Sequence, residues 1–250
     1  MHALSPRPDP FLEERRDLAA AFRWAARLNL NEAVANHFSL AVDAGGRRFL
    51  MNPDQRHFSL IRASDLLLLD ADDPDTMSRP DAPDITAWGL HAMVHRHCPH
   101  ARCVMHLHPI FSTVLASLAD STLPPIDQNT ATFFDRVVVD EGFGGLATDA
   151  EGERCARLLH DPRKKVMLMG NHGVLVLGDT VADTFNRLYY FERAAETYVR
   201  ALQTGRPLRV LDAAIAEKTA REIEDYPGQA ERHLSDLKAI LDKEGDDYAR

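Results

Sequence analysis

The stretch Cys103-Val104-Met105-His106-Leu107-His108-Pro109 decides how this chain reads, because its alternation is that of a β-strand with two histidines on one side. A strand is therefore predicted from Arg102 to His108. The imidazoles of His106 and His108 lie about 7 Å apart along such a strand and can converge on one ion. Neutral imidazole suits zinc, iron, nickel or copper, and a catalytic centre commonly uses three protein ligands, leaving a position for water or substrate. The spacing alone leaves a second reading open, in which both are strand residues with ordinary hydrogen bonds. The best third ligand is His172, since Gly170 and Gly173 let the chain turn tightly around Gly170-Asn171-His172-Gly173 and present the ring.

Upstream, Asp84 can cap a helix from Ile85 that Cys98-Pro99 ends, with Leu90, His91 and Val94 on one side. His91 and His95, four residues apart, form a rival ligand pair on that helix but lack the glutamate of a HExxH motif. His95, His97 and His100 are expected to be exposed polar residues suited to the helix C-terminus, and His91 to stand behind a ligand as its orienting neighbour.

Further out, Phe11–Leu30 carries an amphipathic helix, and Phe38–Pro53 a hairpin turning at Val42-Asp43-Ala44-Gly45-Gly46. Ser64–Asp70 reads as a short buried strand before a loop to Pro83, and Arg136–Val139 as another strand. Gly142–Gly145 forms a loop, and Thr148 with Glu151 a capping box opening a helix to Leu159. Val166–Met169 and Val174–Leu177 flank the His172 turn, and a long helix runs from Thr180 to Gln203. Beyond it, two polar helices divide at Pro227-Gly228. The organisation expected is a loose leader (1–10), one α/β domain (11–208) and a C-terminal helical extension (209–250).

The 250 residues are 45% hydrophobic and 27% charged, values of a globular protein, and no apolar run approaches the ~20 residues of a membrane span. Met1–Pro10 lacks the apolar core of a secretory signal, so the compartment expected is the cytoplasm. Three cysteines without a CxxC pattern argue against a disulfide framework or a cysteine zinc site. A formal net charge of -9 with no Lys/Arg stripe argues against a nucleic-acid partner.

The set Asn36-His37-Phe38-Ser39, Asn52-Pro53, His91 ahead of His106-Leu107-His108, and Asn171-His172-Gly173 before a long helix resembles the class II aldolase/adducin family, over roughly Phe11–Leu208. The resemblance implies a central, largely antiparallel sheet flanked by helices on both faces. It also implies a homo-oligomer, most often a tetramer, and one divalent metal per chain on His106, His108 and His172. Zinc is the metal expected, with manganese or iron as alternatives. In the family's aldolases a glutamate four residues before the position of His91 carries protons, where this chain has Ala87. Their phosphate-binding glycine and serine positions read here Ala35-Asn36, Asp54-Gln55 and Ile85-Thr86, and their partner-subunit tyrosine is missing around Asp127-Gln128-Asn129.

The function expected is that of a metal-dependent lyase, aldolase- or decarboxylase-type, working through a metal-stabilised enolate on a small unphosphorylated hydroxy-carbonyl or carboxylate compound. His91, Asp84 or Thr86 would carry the proton, and Asn36, His37 and Asn171 would bind substrate. Two other readings stay open: a non-catalytic adducin-like assembly module, and an open three-histidine iron site for oxygen chemistry.

Overall fold

In the computed structural model, which describes residues 10–145 and 149–250, the alternating stretch runs through the middle of a sheet. The strands are β1 (His37–Ala41), β2 (Arg48–Met51), β3 (Leu67–Asp70), β4 (Cys103–Leu107), β5 (Val137–Asp140), β6 (Val166–Met169) and β7 (Gly173–Gly178). The helices are α1 (Leu12–Arg27), α2 (Ile85–His97), α3 (Ile110–Ala116), α4 (Gln128–Thr132), α5 (Asp149–Leu158), α6 (Val181–Gln203), α7 (Ala213–Glu224) and α8 (Gln229–Glu244). The strands pair in the order β3-β2-β1-β4-β7-β6-β5, and all pairs are antiparallel except β5 with β6. That parallel pair needs a crossover, which α5 supplies.

Alternation along β4 sends Cys103, Met105 and Leu107 to one side and Val104 with His106 to the other. On the first side α1, α6 and α8 close the main core over Phe38, Met105, Val174 and Val176. Phe22 of α1 stacks on Phe38 at 4.5 Å and meets Phe58 edge-on at 4.6 Å. Each such fully buried ring is worth about 1.5–3 kcal/mol of removed apolar surface. On the second side α2 and α5 pack Leu90, Val94, Cys155 and Leu159 against Val104, Met167, Leu175 and Leu177. The sheet thus has helices on both faces, as the α/β reading requires.

Several boundaries differ from the sequence reading. The Ser64–Asp70 segment is a strand only from Leu67, and it is half-exposed because it forms the sheet edge. The loop leading to Pro83 holds a 3-10 turn at Thr76–Ser78, and α3 and α4 were not foreseen. Residues 1–9 of the expected leader (1–10) and Thr148, with its expected capping box, lie outside the described residues.

The helices after residue 208 do not stand apart from the body. Leu234, Leu237 and Leu241 of α8 enter the main core, and Trp24 Nε1 donates to the Leu237 carbonyl at 3.0 Å. Past α8, Tyr248 is buried, and the amides of Ala63 and Ser64 donate to the carbonyls of Tyr248 (2.8 Å) and Arg250 (2.7 Å). Arg23 of α1 reaches Asp247 at 2.8 Å.

Candidate metal centre

Three chain segments bring three imidazoles together. His106 and His108 come from the end of β4, and His172 from the turn between β6 and β7, where Asn171 takes a left-handed φ of 56°. That conformation suits asparagine, and the turn is closed by the His172 amide donating to the Met169 carbonyl. Gly173 is required for a different reason than turning: a Cβ there would stand 2.5 Å from His108 Cδ2 and 2.5 Å from the Leu107 carbonyl. The His172 ring lies 4.7 Å from that of His106 and 4.8 Å from that of His108, centre to centre, and the three candidate donor atoms lie within 4.8 Å of one another.

These residues suit a divalent ion. His106 Nε2 and His108 Nε2 face each other at 3.0 Å. His108 Nδ1 is bonded to Glu32 Oε2 at 2.5 Å; a carboxylate only accepts, so Nδ1 carries a proton and Nε2 is the nitrogen left to an ion. Burial, reinforced by neighbouring histidines, holds His106 well below the ordinary imidazole range and His172 at about 4, so both are neutral donors near pH 7. The Nδ1 atoms of His106 and His172 are buried without hydrogen-bond partners among the described residues. Three imidazoles with one carboxylate behind them form the donor set of an open zinc or iron site. The other chelating group among the described residues, Asp140 with Glu151 and Cys155, is spent on a two-pronged ion pair between Asp140 and Arg154, and burial pushes the Cys155 thiol up to about 12.

A chain of histidines runs inward from this centre. The register of β1 on β4 sets His37 opposite His106, and their rings stack at 4.8 Å. His37 Nδ1 meets His91 Nε2 at 2.8 Å, His91 Nδ1 meets Ser39 Oγ at 2.5 Å, and Ser39 Oγ meets His95 Nε2 at 2.6 Å. His95 Nδ1 ends the chain on the Ala101 carbonyl at 3.0 Å. Burial is the first cause lowering all three rings, His37 to about 3, His95 to about 4 and His91 well below its usual value.

His91 therefore stands behind the site, fully buried, as expected. The expectation that His95 is exposed fails: it is 1% exposed, because β1 and the β1–β2 turn cover that end of α2, with Gly46 against the His95 carbonyl. His97 is exposed. The rival ligand pair, His91 with His95, is spent elsewhere: both rings converge on the single Ser39 hydroxyl, which takes the place an ion would need.

The centre opens into a cavity of about 780 Å³ whose wall includes Asn36, His37, Asn52, Asp54, Asp84, Thr86 and Ala87. Among the described residues that line it there is no lysine or arginine. Asp84 caps α2: Oδ1 accepts from the Thr86 and Ala87 amides at 2.9 and 3.0 Å and from the Thr86 hydroxyl. Burial alone would raise its carboxyl, but these hydrogen bonds outweigh it and hold the group below the usual range. Burial and then the Asp84 charge push Asp54 upward. Asn36 Oδ1 accepts from the Glu32 amide at 2.6 Å, while its Nδ2 is buried without a partner among the described residues. Asn171 lies outside the wall, exposed, and serves the turn that carries His172.

Sequence reasoning missed the roles of Glu32 and Ser39, and it read His95 as a rival ligand or an exposed residue. Ser39 and His95 had signals, the period-two step from His37 and the four-residue step from His91. Glu32 had none.

Known proteins resemble this chain in sequence and in fold. Residues 16–199 match the family model described as the class II aldolase and adducin N-terminal domain. Among curated proteins, the chain is 28% identical over 221 residues to the decarboxylase NovR of Streptomyces niveus, covering 86% of this chain and 80% of that one. It is 31% identical over 179 residues to 4-hydroxy-3-prenylphenylpyruvate oxygenase/4-hydroxy-3-prenylbenzoate synthase of Streptomyces roseochromogenus subsp. oscitans, covering 69% of this chain and 64% of that one. Among solved structures, an aldolase II superfamily protein from Pseudomonas syringae superposes with a TM-score of 0.84 at 28% identity, covering 99% of this chain and 98% of that one.

Proposed function

Because the chain belongs to the class II aldolase and adducin family, we propose that it is a metal-dependent carbon–carbon lyase, of aldolase or decarboxylase type. Its substrate is a small, unphosphorylated hydroxy-carbonyl or carboxylate compound. The observation that carries this reading is the convergence of His106, His108 and His172 on one cavity. When bound, a divalent ion, zinc in this reading, supplies Lewis-acid polarisation of substrate oxygens and stabilises the charge that develops as the bond breaks.

The residues around it set the rest of the chemistry. Glu32 orients His108 and holds its proton on Nδ1. Asp84 is held ionised and accepts hydrogen bonds, so it serves as a proton acceptor and not as a donor near pH 7. Thr86 spends its hydroxyl proton on Asp84 and offers its oxygen to the cavity. Ala87 brings no acid of its own to that wall, and His91 reaches the cavity only through His37. Asn36 has an unspent amide donor for substrate. With Asp54 and Asp84 on the wall and, among the described residues, no lysine or arginine, a phosphate remote from the metal has no counter-charge there, whereas two adjacent oxygens of a hydroxy or keto acid can sit on the ion.

The likeness to NovR supports decarboxylation as the variant to test first. The 31% relative, which is named an oxygenase and synthase, supports a second reading in which iron serves oxygen chemistry. Three buried cysteines without disulfides support a cytoplasmic setting. Among the described residues no helix is long and apolar enough to cross a membrane. Exposed Val34, Ile85 and Phe143 rim the cavity, which supports a homotetramer in which a neighbouring subunit closes the mouth.

The test is a screen of small hydroxy and keto acids, with carbon dioxide or carbonyl product as readout. Zinc-, manganese- and iron(II)-loaded protein are compared, with and without oxygen. Turnover that is independent of oxygen and lost with His106→Ala supports the lyase. Turnover only with iron and oxygen supports the second reading. A chain that takes up no ion on reconstitution overturns both.

A further inference from the structure

The chain from His37 to His95 has a direction, which its far end sets. The Ala101 carbonyl can only accept, so His95 Nδ1, 3.0 Å away, carries a proton and donates it. His37, His91 and His95 are exposed by 6%, 0% and 1%, and among the described residues no carboxylate hydrogen-bonds to any of them. The Asp84 charge acts on His37 and the Asp43 charge on His95, but burial outweighs both, and with one hydrogen bond at each linked nitrogen every ring is neutral and holds one N–H. His95 Nε2 is then a lone pair, to which the Ser39 hydroxyl at 2.6 Å donates. The Ser39 oxygen accepts from His91 Nδ1–H at 2.5 Å, which leaves His91 Nε2 bare. His37 Nδ1–H must therefore donate to it at 2.8 Å, and the remaining nitrogen, His37 Nε2, is a lone pair. Nε2 has no partner among the described residues, and its ring lines the cavity stacked on His106.

We infer that His37 Nε2 is a hydrogen-bond acceptor for a hydroxyl group of the molecule held at the three-histidine centre. His91, Ser39 and His95 are positioning residues that fix its tautomer. The inference rests on the lyase reading for the cavity being the substrate site, and adds that the substrate carries an O–H on the His37 side. For His37 to present an N–H there instead, every link would have to reverse, and the Ala101 carbonyl would face a lone pair. A site with one committed acceptor discriminates against analogues that lack the donor, because the acceptor is then left unpaired.

The experiment uses the full chain labelled with 15N-histidine. Two-bond 1H–15N spectra of the metal-free and zinc-loaded protein should show His37, His91 and His95 all with the proton on Nδ1. A proton on His37 Nε2 overturns the assignment. Ser39→Ala, checked for folding by circular dichroism, should leave His37 as a mixture of tautomers, and an unchanged single tautomer would mean that the chain does not set it. If that variant does not fold, the wild-type spectra decide.

For recognition, calorimetry on zinc-loaded protein compares lactate with 2-methoxypropionate. Lactate should bind at least tenfold more tightly, with the preference falling below threefold in Ser39→Ala. Equal binding, or binding of neither, overturns the hydroxyl contact. The spectra of the metal-free protein need neither ion nor substrate, so they separate this failure from failure of the lyase reading, whose mark is a chain that holds no ion.

Discussion

Glu32 Oε2 stands 2.5 Å from His108 Nδ1, tying the segment after α1 to the end of β4 across 76 residues of sequence. The carboxylate keeps a proton on Nδ1 and leaves Nε2, which faces His106, to an ion. Partners of this kind are commonly worth 10–100-fold in metal affinity. Glu32→Ala should weaken zinc binding by about that factor in competition with a chelator, with the melting temperature of the metal-free protein little changed. Undiminished affinity would mean that the contact is incidental.

Metal analysis of the reconstituted protein should find one divalent ion per chain. His106→Ala and His172→Ala should each bring it close to zero, since two imidazoles do not close the set. An ion retained by both variants would place it elsewhere.

Gly173 and Gly144 provide a matched pair. A Cβ at Gly173 would fall 2.5 Å from both His108 Cδ2 and the Leu107 carbonyl, whereas one at Gly144 would meet nothing within 4 Å. Gly173→Ala should cost about 1–3 kcal/mol of stability and displace the His108 ring, reducing metal affinity. Gly144→Ala should stay within about 0.5 kcal/mol. Urea unfolding and zinc titration of both variants check this, and equal behaviour would refute the account of Gly173.

Acid should destabilise the metal-free fold in a defined window. Burial lowers His95 from 6.5 to about 4 and His91 well below 6.5. As pH falls through 6.5 the unfolded chain takes up these protons and the native one does not, so stability declines between about 6.5 and 4 and is flat, for these groups, above it. Each such histidine contributes a slope of up to about 1.4 kcal/mol per pH unit. Urea midpoints at pH 7, 6 and 5 should fall in that order; a constant midpoint would mean that the rings take up protons while folded.

L-fuculose 1-phosphate and ribulose 5-phosphate should not be turned over by the metal-loaded protein. The cavity wall carries Asp54 and Asp84 and, among the described residues, no lysine or arginine to meet a phosphate. Product formation followed by NMR is the check, and efficient cleavage of either would refute this reading of the wall.

Much of this was legible where a pattern is local. The β4 alternation, the Asp84 cap of α2 and the turn carrying His172 each declare themselves within a few residues. What escaped depends on distant partners. The α3 helix is short, and its first amides, Phe111 and Ser112, are satisfied by Glu192 from α6, so no capping residue announces it. The α4 helix did have a local signal, Asp127 with Thr130, but five residues carry no periodicity. His95 sits where helix-end chemistry favours exposure, and only the pairing of β1 with β4 shows that a sheet covers it. Glu32 is joined to its histidine by tertiary structure alone.

The way α1 is held has a consequence for how the molecule is made. Its inner face, Leu18 and Phe22, shares a core with Leu234, Leu237, Leu241 and Tyr248, and Arg23 and Trp24 bond to the same late segment. On the ribosome, the first helix emerges more than two hundred residues before the partners that complete its burial. Until then part of its apolar stripe faces water, where nascent chains can associate wrongly. Burial of this early helix is thus completed only when α8 and Tyr248 have been made.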